Sequence, residues 1–253
     1  MEDNRTEERE IALEVHDLHI CYRILKSFSI KKSLLHMLRG QKVKPEIYEA
    51  VRGVSFSLPK GEILGIIGKN GSGKSTMLRA IAGIFSPDEG YIDLHEHSIA
   101  LLSIGVGFQR ELTGRENIVL SGMLLGFSEE AVRAKMDEIV EFADLGKFID
   151  MPVRTYSSGM HSKLAFSITA ILETDIMLVD EVLSVGDWKF KKKSFAKMEE
   201  LINDSDRTVV IVSHNMEHLR SLCTKILWLH DGEIKMMGPT DEVLPAYQEY
   251  MNK

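Results

Sequence analysis

The chain has 253 residues, 44 % of them hydrophobic and 27 % charged, with a formal charge of −7. That length can bury a core as one large α/β domain or two small ones, and the acid excess argues against nucleic acid as a general partner, because phosphate backbones recruit basic faces. Cys21 and Cys223 lack metal-ligand spacing and fit a reducing compartment. No apolar run reaches the ~18–20 residues that cross a bilayer, so action at a membrane is expected to go through another chain.

Met1–Glu10 carries Glu2, Asp3, Glu7, Glu8 and Glu10, the opposite of a basic signal-peptide start, and reads as a solvated leader. Leu13–Tyr22 and Tyr48–Leu58 alternate in polarity and predict an antiparallel edge layer. Between Leu18 and Pro45 there is no acidic residue, while Arg23, Lys26, Lys31, Lys32, Arg39, Lys42 and Lys44 are basic. On a helical wheel Ile30, Leu34, Met37 and Leu38 share one side of Ile30–Arg39, opposite or beside Lys31, Lys32 and Arg39. That pattern fits an interfacial helix meeting anionic headgroups or pyrophosphate. It equally fits a helix packed on its own domain with a solvated basic face.

Ile63–Ile67, Ile176–Asp180 and Thr208–Ser213 are continuous apolar strands, as expected when both sheet faces are covered, and their alternation with helical patterns predicts a mainly parallel sheet. Ser128–Gly146 predicts one amphipathic helix with Val132, Met136, Ile139, Val140 and Ala143 on one face. Asp231-Gly232 between Ile226–Leu229 and Glu233–Met236 predicts a hairpin, and Asp241–Met251 a last helix.

Three constellations carry chemistry. Gly68-Lys69-Asn70-Gly71-Ser72-Gly73-Lys74-Ser75-Thr76 follows a strand directly. Its glycines let successive N–H groups turn toward phosphate oxygens, with the positive end of the next helix behind them. Lys74 is expected on the β- and γ-phosphates and Ser75 on Mg²⁺. Second, a buried strand delivers Asp180 and Glu181; alone this could be a plain strand end, but behind a phosphate loop it reads as a metal-side carboxylate, Asp180, and a residue that orients or deprotonates the attacking water, Glu181. Third, Tyr156-Ser157-Ser158-Gly159-Met160 opens a helix running from His161 through Leu172. It is either an ordinary cap or a second anion-binding end, one that could complete the site of a partner subunit in a symmetric dimer.

In these motifs and their order the sequence closely resembles the ATP-binding-cassette family over nearly its whole length. The resemblance implies a P-loop NTPase α/β fold: one nucleotide-binding domain over residues 1–253, with an antiparallel β edge layer, a helical sub-lobe at roughly 110–165 and the basic insertion at roughly 23–45. It places Gln109 as the Q-loop glutamine and metal ligand, Ser184-Val185-Gly186-Asp187 as the D-loop at a dimer interface, His214 as the switch histidine on the γ-phosphate, and Tyr22 as the aromatic that stacks on adenine. The implied set is Glu181, His214, Lys74 and Gln109 for catalysis; Tyr22, Gly68, Asn70, Gly71, Gly73, Lys74, Ser75, Thr76, Ser157, Gly159 and Asp187 for nucleotide; and Ser75, Gln109 and Asp180 for Mg²⁺.

Where the family usually has Leu-Ser-Gly-Gly-Gln, this chain has Tyr156, Ser158 and Met160 as departures. With Asp180 to Asp187, Gly107-Phe108 and Glu111 to Ile118, these residues resemble exporters of lipid-linked polysaccharides such as O-antigens, teichoic acids and capsular chains, although Gln109 is the more general residue at its position. That branch implies ATP and Mg²⁺ as cofactors, a homodimer, separate membrane-spanning permease subunits, indirect contact with a lipid-linked glycan, and a peripheral place on the cytoplasmic face of the inner membrane. In it the matching insertion faces the membrane near substrate entry. The reading expects no nucleic acid partner and no appended carbohydrate-binding domain. Another transport cargo, or a non-transport ATPase of the same family, is the alternative.

Overall fold

The computed structural model describes residues 10–24, 46–102, 107–180, 187–202 and 207–252. The basic insertion beyond Ile24 lies outside the described residues, as do Glu181 and Ser184 to Gly186.

Strands β1 (Ile11–Ile24) and β2 (Glu46–Pro59) pair antiparallel, Leu13 opposite Leu58 and Tyr22 opposite Tyr48, and β4 (Glu89–Asp93) completes a three-stranded sheet in the order β2-β1-β4. The predicted edge layer is therefore present. Its alternation is physical, since Leu13, Val15, Leu18 and Ile20 of β1 are all buried while Asp17 and Glu14 are not.

The second sheet has six strands: β3 (Ile63–Ile67), β5 (Ile99–Leu101), β6 (Ile176–Val179), β7 (Thr208–Val212), β8 (Lys225–His230) and β9 (Glu233–Pro239). Their order is β5-β6-β7-β3-β8-β9, parallel throughout except for the β8–β9 hairpin. The apolar runs are continuous because both faces are covered. Leu64 and Ile66 of β3, Leu178 of β6 and Val210 and Val212 of β7 enter one cluster, shared with the antiparallel sheet and with Met77 and Leu78 of helix α1 (Lys74–Ile81). Ile67, Met177, Val179, Val209 and Ile211 enter a second cluster on the other face.

Five further segments follow that face: α2 (Gly114–Leu124), α3 (Glu129–Ala134), α4 (Met136–Ala143), α5 (Ser158–Leu172) and α6 (Trp188–Ile202). Every residue of Leu164–Leu172 in α5 is buried, which makes it a core helix and explains an apolar run too short for a membrane. Helices α7 (Met216–Leu222) and α8 (Thr240–Met251) complete the described chain.

One expectation is corrected. Ser128–Gly146 is not one helix but two, α3 and α4, hinged at Lys135 (φ −96°, ψ 0°), whose N–H donates only three residues back, to Val132 O at 3.1 Å. Val132 is pressed onto α2 at Gly122, where a Cβ would lie 2.3 Å from a Val132 methyl, while Ile139, Phe142 and Ala143 of α4 enter the core under α5. The bend lets each half meet its own neighbour. The helix also stops early, at Asp144 in the left-handed region (φ 50°), before Gly146.

Candidate functional site

The phosphate loop joins β3 to α1. Gly73 caps α1 at φ 100°, and a Cβ there would sit 2.2 Å from Ala50 O of β2, so position 73 admits only glycine. A Cβ on Gly68 would lie 2.2 Å from Leu229 O of β8. Nothing lies within 4 Å of a Cβ built on Gly71, which leaves the outer arc of the loop open. Lys74 is buried, and its ammonium donates to Gly68 O (2.8 Å) and Lys69 O (3.0 Å), holding the positive charge inside the arc. The buried Ser72 Oγ has no hydrogen-bond partner.

Above the loop is a cavity of about 360 Å³ lined by Tyr22, Tyr48, Ala50, Asn70, Gly71, Gly73, Lys74, Ser75, Thr76, Val212 and His214. Its tyrosines come from paired positions on β1 and β2. The Tyr22 hydroxyl is 3.3 Å from Thr76 Oγ1, and Tyr48 donates to Gly71 O at 3.0 Å. Sequence reasoning missed Tyr48. The pairing of the two strands across the insertion would have revealed it, and periodicity alone does not give that register.

Parallel strands bring the remaining chemistry to the same sheet edge. Asp180 follows β6 and His214 lies two residues past β7, both at carboxyl ends beside that of β3, the place where open α/β sheets bind ligands. Asp180 and Gln109 are not among the cavity's lining residues.

Gln109 is held through its backbone. Its N–H donates to Asn117 Oδ1 (2.7 Å), and Asn117 Nδ2 reaches Gln109 O (3.0 Å), Leu112 O (3.1 Å) and Thr113 O (2.8 Å). Asn117 is completely buried, so its amide adds to the turn's own Leu112 N–H to Gln109 O bond (3.2 Å) in satisfying these backbone groups. A capping box between Thr113 and Glu116 fixes the start of α2 just beyond. The same segment touches α5: Phe108 and His161 rings are 4.7 Å apart, and burial, then Arg110, holds the His161 pKa below its ordinary value. Asn117 was a missed residue; a polar side chain near a helix start reads as surface until its partners are seen.

Ser157 caps α5, its hydroxyl accepting from Met160 N at 3.2 Å. Among the described residues a Cβ on Gly159 would meet only Ser157 Oγ, at 3.9 Å, so packing among them does not require glycine there. Tyr156 donates to Phe148 O at 2.8 Å. None of these lines the Lys74 cavity. Asp187 is also apart from it, accepting from Lys163 Nζ (2.6 Å) and Phe190 N (3.0 Å) and so tying the start of α6 to α5.

Those bonds, the Lys163 ammonium first, lower the Asp187 pKa to about 2. A carboxyl depressed in the fold stabilises it fully above its unfolded value near 3.8 and loses that contribution as pH falls toward 2. Asp187→Asn should therefore lower urea stability at pH 5–7, with the gap to wild type closing between pH 4 and 2. A gap independent of pH would show that the carboxylate charge is not what holds α6 to α5.

The ABC transporter family profile matches residues 51–184. The O-antigen export system ATP-binding protein RfbB of Klebsiella pneumoniae is 40 % identical over 223 residues, 88 % of this chain and 90 % of that protein. RfbB of Myxococcus xanthus is 43 % identical over 87 % of this chain but 51 % of its own length. The teichoic acids export protein TagH of Bacillus anthracis is 44 % identical over 82 % of this chain and 38 % of its own length. The chain thus spans about half or less of those two longer relatives. Among solved structures, a dimeric ATP-binding cassette in a post-hydrolysis state with ADP and Pi superposes with a TM-score of 0.66 at 23 % identity, over 90 % of this chain and 98 % of that one. An ATP-binding subunit of an ABC transporter does so at 0.69 and 22 %, over 94 % and 93 %. Profile, relatives and fold agree: the chain belongs to the ABC transporter family.

Proposed function

We propose that the chain is the ATP-hydrolysing subunit of an exporter for a lipid-linked polysaccharide, acting as one half of a dimer beside separate membrane-spanning subunits. The observation that carries the nucleotide reading is the cavity itself, where a buried ammonium, an open glycine arc and the carboxyl ends of two adjacent parallel strands, β3 and β7, converge. This donor set suits a triphosphate.

In this reading Asn70, Gly71 and Gly73 present backbone N–H groups, Lys74 offsets charge on the β- and γ-phosphates, and Tyr22 stacks on the base. Ser75, Gln109 and, one step back, Asp180 are the donors for Mg²⁺, whose charge when bound neutralises phosphate oxygens. Glu181 takes a proton from the attacking water and His214 steadies the γ-phosphate side. Ser157 and Gly159 serve a second copy. Support for that is steric, since glycine is a poorer helix former than alanine and nothing among the described residues of its own chain asks for it. No helix among the described residues is long and apolar enough to cross a membrane, which suits a subunit that docks on a separate permease.

The names of the RfbB and TagH relatives support the cargo. The test is genetic: cells lacking this chain should accumulate lipid-linked glycan inside, and the wild-type gene should restore export while Lys74→Ala does not. Undisturbed glycan export in the deletion strain would remove the cargo assignment.

A further inference from the structure

The phosphate loop has a back wall in the hairpin that Asp231-Gly232 marks in the sequence. The β8–β9 turn, Asp231-Gly232, sits at φ 48° and 85° and touches the loop directly: Gly232 N donates to Ser72 O at 3.1 Å, and Arg52 N of β2 donates to Gly232 O at 2.8 Å. Because Gly68 abuts Leu229 O as well, a shift of this turn moves the loop.

Tyr250, in the last turn of α8, grips both. Its hydroxyl lies 3.3 Å from His230 Nε2, next to the turn. Its ring packs on the buried Trp228 with centroids 5.1 Å apart. Two ammonium groups lie against the Tyr250 ring, Lys235 Nζ at 3.5 Å from the centroid and Lys69 Nζ at 5.1 Å. Lys69 is the second residue of the phosphate loop, 181 positions away in sequence from Tyr250. An aromatic face holds a cation by its quadrupole, and tilted packing on Trp228, with 58° between the ring planes, fixes where that face points.

We propose that Tyr250 is a positioning residue for the phosphate loop, holding Lys69 with its ring and the β8–β9 turn with its hydroxyl, so that helix α8 sets the loop conformation that receives a nucleotide triphosphate. The inference rests on the nucleotide reading above. Tyr250 touches no phosphate; it acts through Lys69 and His230. Helix α8 thereby becomes a lever on nucleotide affinity.

The test measures Kd for MgATP by calorimetry, with kcat and Tm in parallel, for Tyr250→Leu, Lys69→Gln, the double variant, Tyr250→Phe and Tyr250→Trp. Leucine keeps apolar contact with Trp228 and removes the ring face. Tyr250→Leu and Lys69→Gln should each weaken MgATP by roughly three- to tenfold, the double variant no more than the worse single one, since they remove one shared interaction. Tyr250→Trp should restore affinity and Tyr250→Phe should lose less than threefold, with kcat in every variant moving less than Kd. A purely structural role would lower Tm and the folded fraction while leaving Kd of the folded protein unchanged; that result, or additive losses in the double variant, overturns the inference. A wild-type chain that binds no MgATP would instead remove the nucleotide reading, and this inference with it.

Discussion

Lys74→Ala should abolish measurable ATP turnover and weaken MgATP binding by at least ~10²-fold, the scale on which a preorganised charge in a water-poor site acts. The ammonium is not a flexible surface cation that a neighbour could replace. It is buried and tethered to Gly68 O and Lys69 O, so its charge is already in place when a triphosphate arrives. Removing it also deprives two loop carbonyls of a donor, which should lower Tm modestly while far-ultraviolet circular dichroism stays native. Calorimetry with MgATP and a phosphate-release assay give the readout. Ordinary hydrolysis by a folded Lys74→Ala protein would show that the loop is not the phosphate site.

Glu181→Gln separates binding from chemistry. The substitution keeps size and hydrogen-bonding capacity but removes the base, so hydrolysis should slow by about 10²–10⁴-fold with nucleotide affinity preserved. ATP should then persist, and with it the proposed paired state in which the Ser157–Gly159 end of a second copy closes the site. Size-exclusion chromatography with ATP and Mg²⁺ should show a dimer that disappears when Ser157 and Gly159 are replaced in the same background. A Glu181→Gln protein that stays monomeric at high concentration would count against the two-copy arrangement for the isolated subunit.

Local signals were legible wherever one segment states its own constraint. The strand Ile63–Ile67 is found with the ends the sequence predicts, β6 and β7 each stop one residue short of prediction, and the Asp231-Gly232 hairpin is present. Cross-chain constraints were hidden. The hinge at Lys135 follows from Gly122 admitting Val132, a contact that periodicity in 128–146 cannot contain. Tyr48 reaches the cavity only because its strand pairs with that of Tyr22. Asn117 looks like a helix-surface amide until Gln109, Leu112 and Thr113 are seen to converge on it. Asp187, expected among the nucleotide-binding residues, is engaged by Lys163 within its own chain; that partner sits 24 positions back in the sequence, on α5.

The position of β3 at the centre of its sheet has a consequence for biosynthesis. Its neighbours on either side are β7 and β8, and Ile63 pairs with Val209, 146 residues later. At ribosomal speeds of roughly 5–20 residues per second, the nucleotide-binding strand emerges about 7–30 s before its first partner. During that interval β1 and β2, adjacent in sequence and antiparallel, can already pair and cover Leu64 and Ile66, while both backbone edges of β3 wait for β7 and β8 and Ile67 waits for the cluster on the far face. The nascent chain therefore carries a β-branched strand with both hydrogen-bonding edges unpaired through most of its synthesis.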